Sequence, residues 1–263
     1  MHGRMLVYSR DILLYTWRSV EVLASALLKR FILVDVVPST MDYPKHYHYD
    51  IPYDVMSVQA LYQTRGRGRT GPWLSPKGGL WLSFKIPKMY GIVLDIPLFQ
   101  ASIALMLAYL ISQRYNVKVG VVWPNDIVYW PKKLGGVLVE ATKNNIIIGV
   151  GINLNNEPPL DLATSLSYIT GTRIDMDEAR KLTISALAYS LSIRGIPSFL
   201  LQDYDCTINK RIIVATEEGD VYGLSLGVNN QGRLVVRTST GVKVVECCSV
   251  KALEGLAYKP LNT

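Results

Sequence analysis

Apolar and polar residues along the chain form short runs typical of strands, separated by a few longer helical stretches. Dense apolar and β-branched runs predict strands at 31–37, 55–62, 80–86, 118–123, 134–142 and 146–152. Residues 97–115 are apolar on most faces and contain no internal breaker, so they predict a buried helix. Further helices are predicted at 177–194, ended by Gly195, and at 199–206. The main part of the chain therefore combines α and β elements.

The pattern changes after residue 210, where the runs become shorter and the turns closer together. Strands are predicted at 211–216, 221–228, 234–237 and 242–246, separated by turns that contain glycine. This spacing is typical of a small β-barrel of about 50 residues. We therefore divide the chain into an N-terminal helical extension (1–30), a main domain (31–205) and a small C-terminal β-barrel domain (206–263).

Residues 11–28 carry an apolar stripe at helical spacing. Its members are Leu13, Leu14, Trp17, Val20, Leu23, Ala24, Leu27 and Leu28. Arg18 and Glu21 interrupt the stripe, which makes the segment a poor membrane span and a poor signal peptide. We expect an amphipathic helix that packs on the main domain or on a second subunit, and no association with a membrane.

Composition narrows the class of protein. Of the 263 residues, 49% are hydrophobic, which supplies a substantial core, and the net charge of +7 fits an anionic substrate or an acidic partner. The charge is spread along the chain, which weakly disfavours a dedicated nucleic-acid surface. Three cysteines, two of them adjacent, make a poor disulfide framework and favour a reducing, cytoplasmic setting. His46 and His48 lie far from the cysteines in sequence, so no side-chain metal cluster is expected.

Residues 63–73 form an unusual segment in which Arg65, Arg67 and Arg69 alternate with Gly66 and Gly68. Glycine lets backbone N–H groups approach a ligand, and guanidinium groups suit phosphate or carboxylate. The segment lacks the Gly-Lys-Ser/Thr ending of a phosphate-binding P-loop, and prolines follow where a dinucleotide motif would open a helix. We interpret it as a loop that closes over an anionic group. A basic surface loop or a short nucleic-acid contact remains the alternative.

Two further segments carry candidate chemistry. Pro124 interrupts an apolar strand and presents Asn125 and Asp126 at its end, and Lys133 follows at the start of the next strand. An ordinary polar hairpin is the alternative reading of this segment. Glycines at alternate positions of 149–151 give one strand a smooth face, for a flat ligand or for another part of the backbone.

These motifs occur in a characteristic order. They are Ser39-Thr40, Gln63 with Gly66-Arg67-Gly68-Arg69, Ser75-Pro76 with Gly79, Trp123-Pro124-Asn125-Asp126, Lys133-Leu134-Gly135-Gly136 and Gly149-Val150-Gly151-Ile152-Asn153. In this order the chain resembles the biotin–protein ligase family from about residue 31 to 155, and to about 255 with the barrel. The resemblance implies an α+β fold of the class II synthetase-like type. It has a mixed, largely antiparallel sheet with packed helices and a small C-terminal SH3-like β-barrel.

The resemblance also implies an activity. Members of the family join biotin to ATP to give biotinyl-5′-adenylate, and then transfer biotin to one lysine of a biotin carboxyl carrier protein. Catalytic roles fall to Arg69, Lys133 and Asp126. The implied biotin-binding residues are Ser39, Thr40, Met41, Gln63, Gly66, Arg67, Gly68, Arg69, Lys133, Gly136, Gly149 and Val150. The implied ATP-binding residues are Arg67, Arg69, Asn125, Lys133 and Asn153, and Mg²⁺ is expected to arrive with ATP.

The chain departs from the family pattern at several positions. Val122 stands where a lysine is common, Met41 where asparagine is common, and Arg65 and Pro72 where a small residue and an arginine are common. One helix before residue 31 is too little for a winged helix–turn–helix, so no DNA-binding role is expected. A homodimer is possible for this family. A lipoate or octanoate ligase or transferase of the same fold is the nearest alternative, and a non-catalytic biotin sensor or basic nucleic-acid-binding module is another.

Overall fold

The computed structural model describes residues 25, 29–46, 55–88, 95–193, 195–246 and 249–259. Most of the predicted N-terminal helix at 11–28 lies outside the described residues, as do His48, Cys247 and Cys248. Within these ranges the chain forms two β-sheets, one of seven strands and one of five.

The larger sheet has the strand order β1-β2-β3-β7-β6-β5-β4. Its strands are β1 (Phe31–Val37), β2 (Met56–Gln63), β3 (Leu80–Pro87), β4 (Gly120–Val122), β5 (Asp126–Tyr129), β6 (Lys132–Ala141) and β7 (Asn145–Ile152). The pair β1–β2 is parallel, and the other pairs are antiparallel. The mixed, largely antiparallel sheet expected from the sequence is therefore confirmed.

Five helices accompany the sheet in the described part of the chain. They are α1 (Tyr43–His46), α2 (Ile96–Tyr115), α3 (Leu166–Thr170), α4 (Met176–Ser192) and α5 (Ser198–Tyr204). The long helix α2 begins where the Asp95 carboxylate accepts a hydrogen bond from Leu98 N, and it ends at Asn116 in the left-handed conformation (φ 52°). α2 is long and apolar enough to cross a membrane by composition alone, but two thirds of that apolar stretch is buried inside the fold.

Alternation along the central strands separates the core from the site. On β3, Leu80, Leu82 and Phe84 pack into the main core with α2, as do the even-numbered residues of β7. The intervening residues of β3 and β7, such as Trp81 and Gly151, face the other side of the sheet. The helices therefore cover one face, and the opposite face of the same strands is left to build a cavity.

The smaller sheet is antiparallel, with the order β11-β10-β9-β8-β12. Its strands are β8 (Arg211–Thr216), β9 (Gly219–Val228), β10 (Leu234–Thr238), β11 (Gly241–Val245) and β12 (Ser249–Leu253). The predicted C-terminal β domain is confirmed as this five-stranded sheet, and its closure into a barrel stays a prediction.

The two sheets share a second apolar core, separate from the main one. Val122 and Trp123 come from the end of β4, yet they belong to the cluster formed by the smaller sheet. Trp123 Nε1 donates a hydrogen bond to Gly232 O at 2.9 Å. Val122, which stands where the resembled family commonly has a lysine, is fully buried in this core. The turn that follows Trp123 is thus held in place by both sheets.

The sequence patterns did not predict β5, α3 or β12. The strand β5 is only four residues long and lies between Pro124 and Pro131, so its apolar run is too short to be recognised as a strand from the sequence. The helix α3 has only five residues, which is too short to show a helical pattern in the sequence. β12 was missed because the predicted strands ended at 246. The strand predicted at 118–123 is shorter than expected, since only Gly120–Val122 pair with β5.

Candidate active site

The parallel pairing of β1 with β2 places two polar segments side by side. Val37 at the end of β1 pairs with Gln63 at the end of β2. Because the carboxyl ends of parallel strands meet at one edge, the residues that follow β1 lie next to Gln63. Ser39 and Thr40 follow β1 and are almost fully buried. Residues far apart in sequence therefore form a single polar wall.

Hydrogen bonds lock this wall. Gln63 Oε1 accepts from Thr40 N at 2.7 Å and from Thr40 Oγ1 at 3.0 Å, and Gln63 Nε2 donates to Ser75 Oγ at 2.7 Å. The hydroxyls of Thr40 and Ser83 lie 2.7 Å apart. The group is neutral, so it offers a ligand oriented hydroxyl and amide dipoles without a net charge.

Glycines form the floor of the cavity and two large side chains lie on it. A Cβ added at Gly149 would come within 2.5 Å of Met41 Sδ, and one added at Gly151 would lie 2.8 Å from Trp73 Nε1. Gly136 pairs with Gly151 on the neighbouring strand, which widens this flat region. Trp73 Nε1 is buried and has no hydrogen-bond partner among the described residues. The alternate glycines noted in the sequence therefore admit Met41 and Trp73.

Replacing Gly151 with alanine is expected to destabilise the protein. The new methyl group would overlap Trp73, whose ring must shift, and overpacking of this kind costs about 1–3 kcal/mol. Thermal unfolding measures the change, and tryptophan fluorescence reports the displaced ring. Gly71→Ala is the matched control for stability, because a Cβ there meets nothing within 4 Å. Equal melting temperatures for the two variants would show that Trp73 does not press on the floor.

Arg67 is tied to acidic residues. Its guanidinium makes a two-pronged contact with Glu140, with Nε to Oε1 at 2.9 Å and Nη2 to Oε2 at 3.0 Å, and Nη1 reaches Asp42 Oδ2 at 2.8 Å. The hydrogen bond with Glu140 is the main reason that the pKa of Arg67 is raised. Lys45 also binds Glu140, at 2.8 Å. Arg67 therefore anchors the loop to β6, and the carboxylates of Glu140 and Asp42 largely balance its positive charge.

Arg69 differs from Arg67. Its guanidinium has no hydrogen-bond or ion-pair partner among the described residues, yet Arg69 lines the same cavity. A tight turn aims this part of the loop, because Gly68 N donates to Gly71 O at 2.8 Å and Trp73 N donates to Gly66 O at 2.9 Å. The loop therefore has one arginine that holds it in place and one that is free to meet an anion.

Asp126 and Lys133 form the charged end of the cavity. Lys133 Nζ lies 2.7 Å from Asp126 Oδ1, and Asp126 is only 5% exposed. Burial favours the neutral acid, but the ammonium groups of Lys133 and Lys259 outweigh it and hold the pKa of Asp126 below its usual value. Lys133 Nζ also lies 5.2 Å from the centre of the Trp73 ring. Asp126 is therefore a charged anchor for the lysine.

The surrounding backbone fixes this end of the cavity. Asn125 Nδ2 donates to Val137 O at 2.7 Å, which ties the turn to β6. The backbone of Lys133 bonds on its other side to Leu162 O and Thr164 N, at 3.0 and 2.9 Å. The backbone of Lys133 is therefore fixed, and its side chain can turn from Asp126 toward a ligand.

One cavity collects most of the residues singled out in the sequence. Those that line it are Ser39, Thr40, Met41, Gln63, Arg67, Gly68, Arg69, Asn125, Asp126, Lys133, Gly136, Gly149 and Val150. Gly66 and Asn153 do not line it. Gly66 packs against Trp73 O and Ser75 Oγ, and the buried Asn153 accepts a hydrogen bond from Asn156.

Sequence reasoning also missed residues of this cavity. Trp73 and Trp81 line it, and so do Ser249 and Lys259 from the C-terminal part of the chain. Trp73 follows the Arg-Gly segment directly, so an aromatic beside a glycine-rich loop was a usable signal. No sequence pattern links Ser249 or Lys259 to residues more than a hundred positions earlier.

The cavity thus has a neutral polar end, an apolar and aromatic middle, and a cationic end. Thr40 and Gln63 mark the first, Trp73 the second, and Arg69 and Lys133 the third. Such an arrangement suits a ligand with a polar uncharged head and an acidic tail. It also suits a reaction in which two anions must meet, because fixed cations offset their repulsion.

Comparison with known proteins gives concordant matches in sequence. The biotin/lipoate A/B protein ligase family matches residues 33–155, and the biotin protein ligase C-terminal domain matches residues 207–246. The biotin--[acetyl-CoA-carboxylase] ligase of Mycobacterium tuberculosis is 32% identical over 215 residues, which is 75% of this chain and 79% of that protein. The bifunctional ligase/repressor BirA of Bacillus subtilis is 30% identical over 219 residues, 74% of this chain and 65% of that protein.

Solved structures agree with the sequence matches. The biotin protein ligase from Aquifex aeolicus in complex with biotin and ATP superposes with a TM-score of 0.74 and 26% identity, covering 86% of this chain and 99% of that chain. The chain spans less than two thirds of the BirA proteins of Bacillus subtilis and Escherichia coli, at 65% and 62% of their lengths.

Proposed function

Because the chain belongs to the biotin/lipoate A/B protein ligase family, we propose that it is an ATP-dependent biotin–protein ligase. In the first step a biotin carboxylate oxygen bonds to the α-phosphorus of ATP, and the bond to pyrophosphate breaks. In the second step a lysine amine of a carrier protein attacks the carbonyl carbon of biotinyl-5′-adenylate. AMP leaves, and the amine loses a proton as the amide forms.

The observation that carries this proposal is the division of this cavity into a neutral end and a cationic end. Biotin has a neutral ureido ring and an acidic chain. Ser39, Thr40 and Gln63 supply hydrogen-bonding groups for the ring. Lys133 and Arg69 line the same cavity and would offset the charges of the carboxylate and the α-phosphate. A nonspecific basic surface would not need the buried neutral wall.

Electrostatics is the main demand of the first step. A carboxylate and a triphosphate repel each other, and their approach in a partly buried cavity is costly unless cations are fixed nearby. Lys133 is fixed by Asp126, and Arg69 is held on a loop anchored through Arg67. Mg²⁺ would enter with ATP, held by phosphate oxygens and water. The described residues contain no group of three His, Cys, Asp or Glu side chains placed to bind a metal.

The second step needs an unprotonated amine at the anhydride. Asp126 is ionised at neutral pH and lies beside Lys133, so it can orient an incoming ammonium group. The depressed pKa makes Asp126 a weak base while Lys133 and Lys259 remain on it. Orientation of the amine is therefore the principal role we assign to it, with bulk water as the final proton acceptor.

Labelled biotin provides the direct test. The purified protein with ATP and Mg²⁺ should convert biotin to its adenylate and release pyrophosphate in equal amount. Lipoate and octanoate are the matched competitors, because ligases of the same family use them. Turnover with either acid and not with biotin would assign the protein to the alternative branch. Binding of DNA or RNA without biotin-dependent ATP turnover would instead support a basic nucleic-acid-binding module.

The partner is proposed to be a biotin carboxyl carrier protein domain. Two relatives are named biotin--[acetyl-CoA-carboxylase] ligase, and the resemblance to the family implies a lysine of a carrier protein as the acceptor. Transfer is measured as a mass increase at one lysine of such a domain. A homodimer, a cytoplasmic location and the lack of a nucleic-acid role stay predictions from the sequence.

A further inference from the structure

The chain after β12 turns back and reaches the cavity. Ala257 N donates to Pro131 O at 3.2 Å, which fastens the segment 254–259 to the turn between β5 and β6. Leu253 N donates to Lys259 O at 2.9 Å, which closes the segment on itself. These bonds are made by the backbone, so they position Tyr258 and Lys259 and leave both side chains available for other contacts.

Both side chains converge on one oxygen of Asp126. Tyr258 donates its hydroxyl proton to Asp126 Oδ2 at 3.1 Å, and Lys259 Nζ lies 3.3 Å from the same oxygen. Lys133 occupies the other oxygen, Oδ1, at 2.7 Å. The carboxylate is therefore shared between one lysine from β6 and a tyrosine–lysine pair from the C-terminal segment.

This division matters once Lys133 turns toward a ligand. Asp126 is 5% exposed, and a buried carboxylate that loses its only cation is strongly destabilised. If Lys133 were the sole partner, its departure would leave Asp126 either unpaired or protonated. Tyr258 and Lys259 remain on Oδ2 when Oδ1 is released. The cost of moving Lys133 is thereby lowered.

We infer that Lys259, together with Tyr258, is a positioning residue that keeps Asp126 ionised and in place while Lys133 engages the anionic reactants. The inference rests on the proposed function, since that reaction supplies the anions. It gives the C-terminal segment an indirect part in the first step, exerted through Asp126.

The Tyr258 ring supports the same arrangement. Lys133 Nζ lies 5.4 Å from its centre and Lys259 Nζ lies 5.6 Å from it. Attraction to the ring faces favours both ammonium groups at this end of the cavity. Burial raises the pKa of Tyr258 well above its ordinary value, so its hydroxyl remains a proton donor at neutral pH.

The charges around Asp126 set the sign of a pH effect. Lys133 faces it from β6, Tyr258 and Lys259 from the C-terminal segment, and the charge of Arg69 acts on it from the loop. Lys259 helps to hold the pKa of Asp126 down. Without Lys259 that pKa rises, so the carboxylate is lost at a higher pH as the solution is acidified.

Kinetics of Lys259→Met test the inference. Methionine keeps the length and removes the charge, and loss of one charged hydrogen bond is expected to slow pyrophosphate release about tenfold. The dissociation constant for biotin should change less than about twofold, because the neutral end is untouched. The acid limb of kcat/KM for ATP should move to higher pH. Lys259→Arg should restore both rate and limb, and Tyr258→Phe should show a smaller shift of the same sign.

Lys210→Met is the matched control. Lys210 lies just before β8, and its Nζ is 5.0 Å from the ring centre of Trp130 in the turn between β5 and β6, but it does not line the cavity. Its variant should keep the wild-type rate and pH profile. An unchanged rate and acid limb in Lys259→Met would overturn the inference. So would a lower melting temperature with no rescue by arginine, which would indicate a merely structural role.

A titration without catalysis separates this inference from the proposed function. The carboxyl ¹³C shift of Asp126 reports its ionisation in Lys133→Met and in the double variant Lys133→Met/Lys259→Met. The single variant should keep the carboxylate ionised at neutral pH, and the double variant should titrate at a distinctly higher pH. Identical titrations would refute a role for Lys259 even if the wild type forms the adenylate. If the wild type forms no adenylate, the proposed function fails and the titration still decides whether Lys259 holds Asp126.

Discussion

Replacement of Lys133 by alanine is expected to slow pyrophosphate release from biotin and ATP by about 10²–10³-fold, the size typical of losing one preorganised charge-stabilising group. The Lys133 ammonium is held by Asp126 at 2.7 Å and points into the cavity. It is the compact charge best placed to offset repulsion between the carboxylate and the α-phosphate. Biotin affinity should fall much less, because the ureido ring is proposed to bind at the neutral end, away from Lys133. Single-turnover pyrophosphate release measures the effect.

Lys132→Ala is the control for this experiment. Lys132 neighbours Lys133 on β6, is exposed, and does not line the cavity. Its variant should keep the wild-type rate, which excludes a general effect of lowering the net charge. A pyrophosphate release rate that is unchanged in Lys133→Ala would remove Lys133 from the mechanism.

Arg69→Ala is expected to release the adenylate before a carrier arrives. Arg69 lines the cavity and makes no hydrogen bond or ion pair among the described residues, so its guanidinium donors are available to a bound phosphate. Losing a hydrogen bond to a charged group should speed escape of the intermediate by about 10–100-fold. Escape is measured by chromatography of free biotinyl-5′-adenylate, and by biotin attached to an unrelated protein in the same tube.

The loop supplies its own control for the Arg69 experiment. Arg65 is exposed in the same Arg-Gly segment and does not line the cavity, so Arg65→Ala should retain the intermediate. Full retention by Arg69→Ala would contradict a sealing role for the loop. Equal leakage from both variants would show that the net charge of the segment, and not the position of Arg69, holds the adenylate.

Local patterns were sufficient for most of the sheet. Strand β1 was predicted with its observed bounds, and so was β8, because dense β-branched runs of adequate length carry their own signal. The grouping of Ser39, Gln63 and Lys133 in one site was implied by the resemblance to the biotin–protein ligase family. The patterns did not predict which elements contact each other, because those contacts depend on how distant parts of the chain pair in the fold.

The contrast between Arg67 and Arg69 illustrates this limit. Both arginines occur in one repeat of alternating glycines, so nothing in the segment distinguishes them. Arg67 is matched by Glu140, which lies 73 residues later and was not singled out. Lys259 meets Asp126 across 133 residues, in a segment with no motif of its own. Long-range ion pairs of this kind become visible only when the fold is known.

The shared apolar core has a consequence for how the protein loses activity on heating. Trp123 is packed among residues of the smaller sheet, and the turn that presents Asp126 begins directly after it. Loosening of the C-terminal sheet would therefore free that turn while the larger sheet is still intact. Inactivation is then expected to precede melting, and a stabilising substitution within β8–β11, none of whose residues lines the cavity, would raise the working temperature.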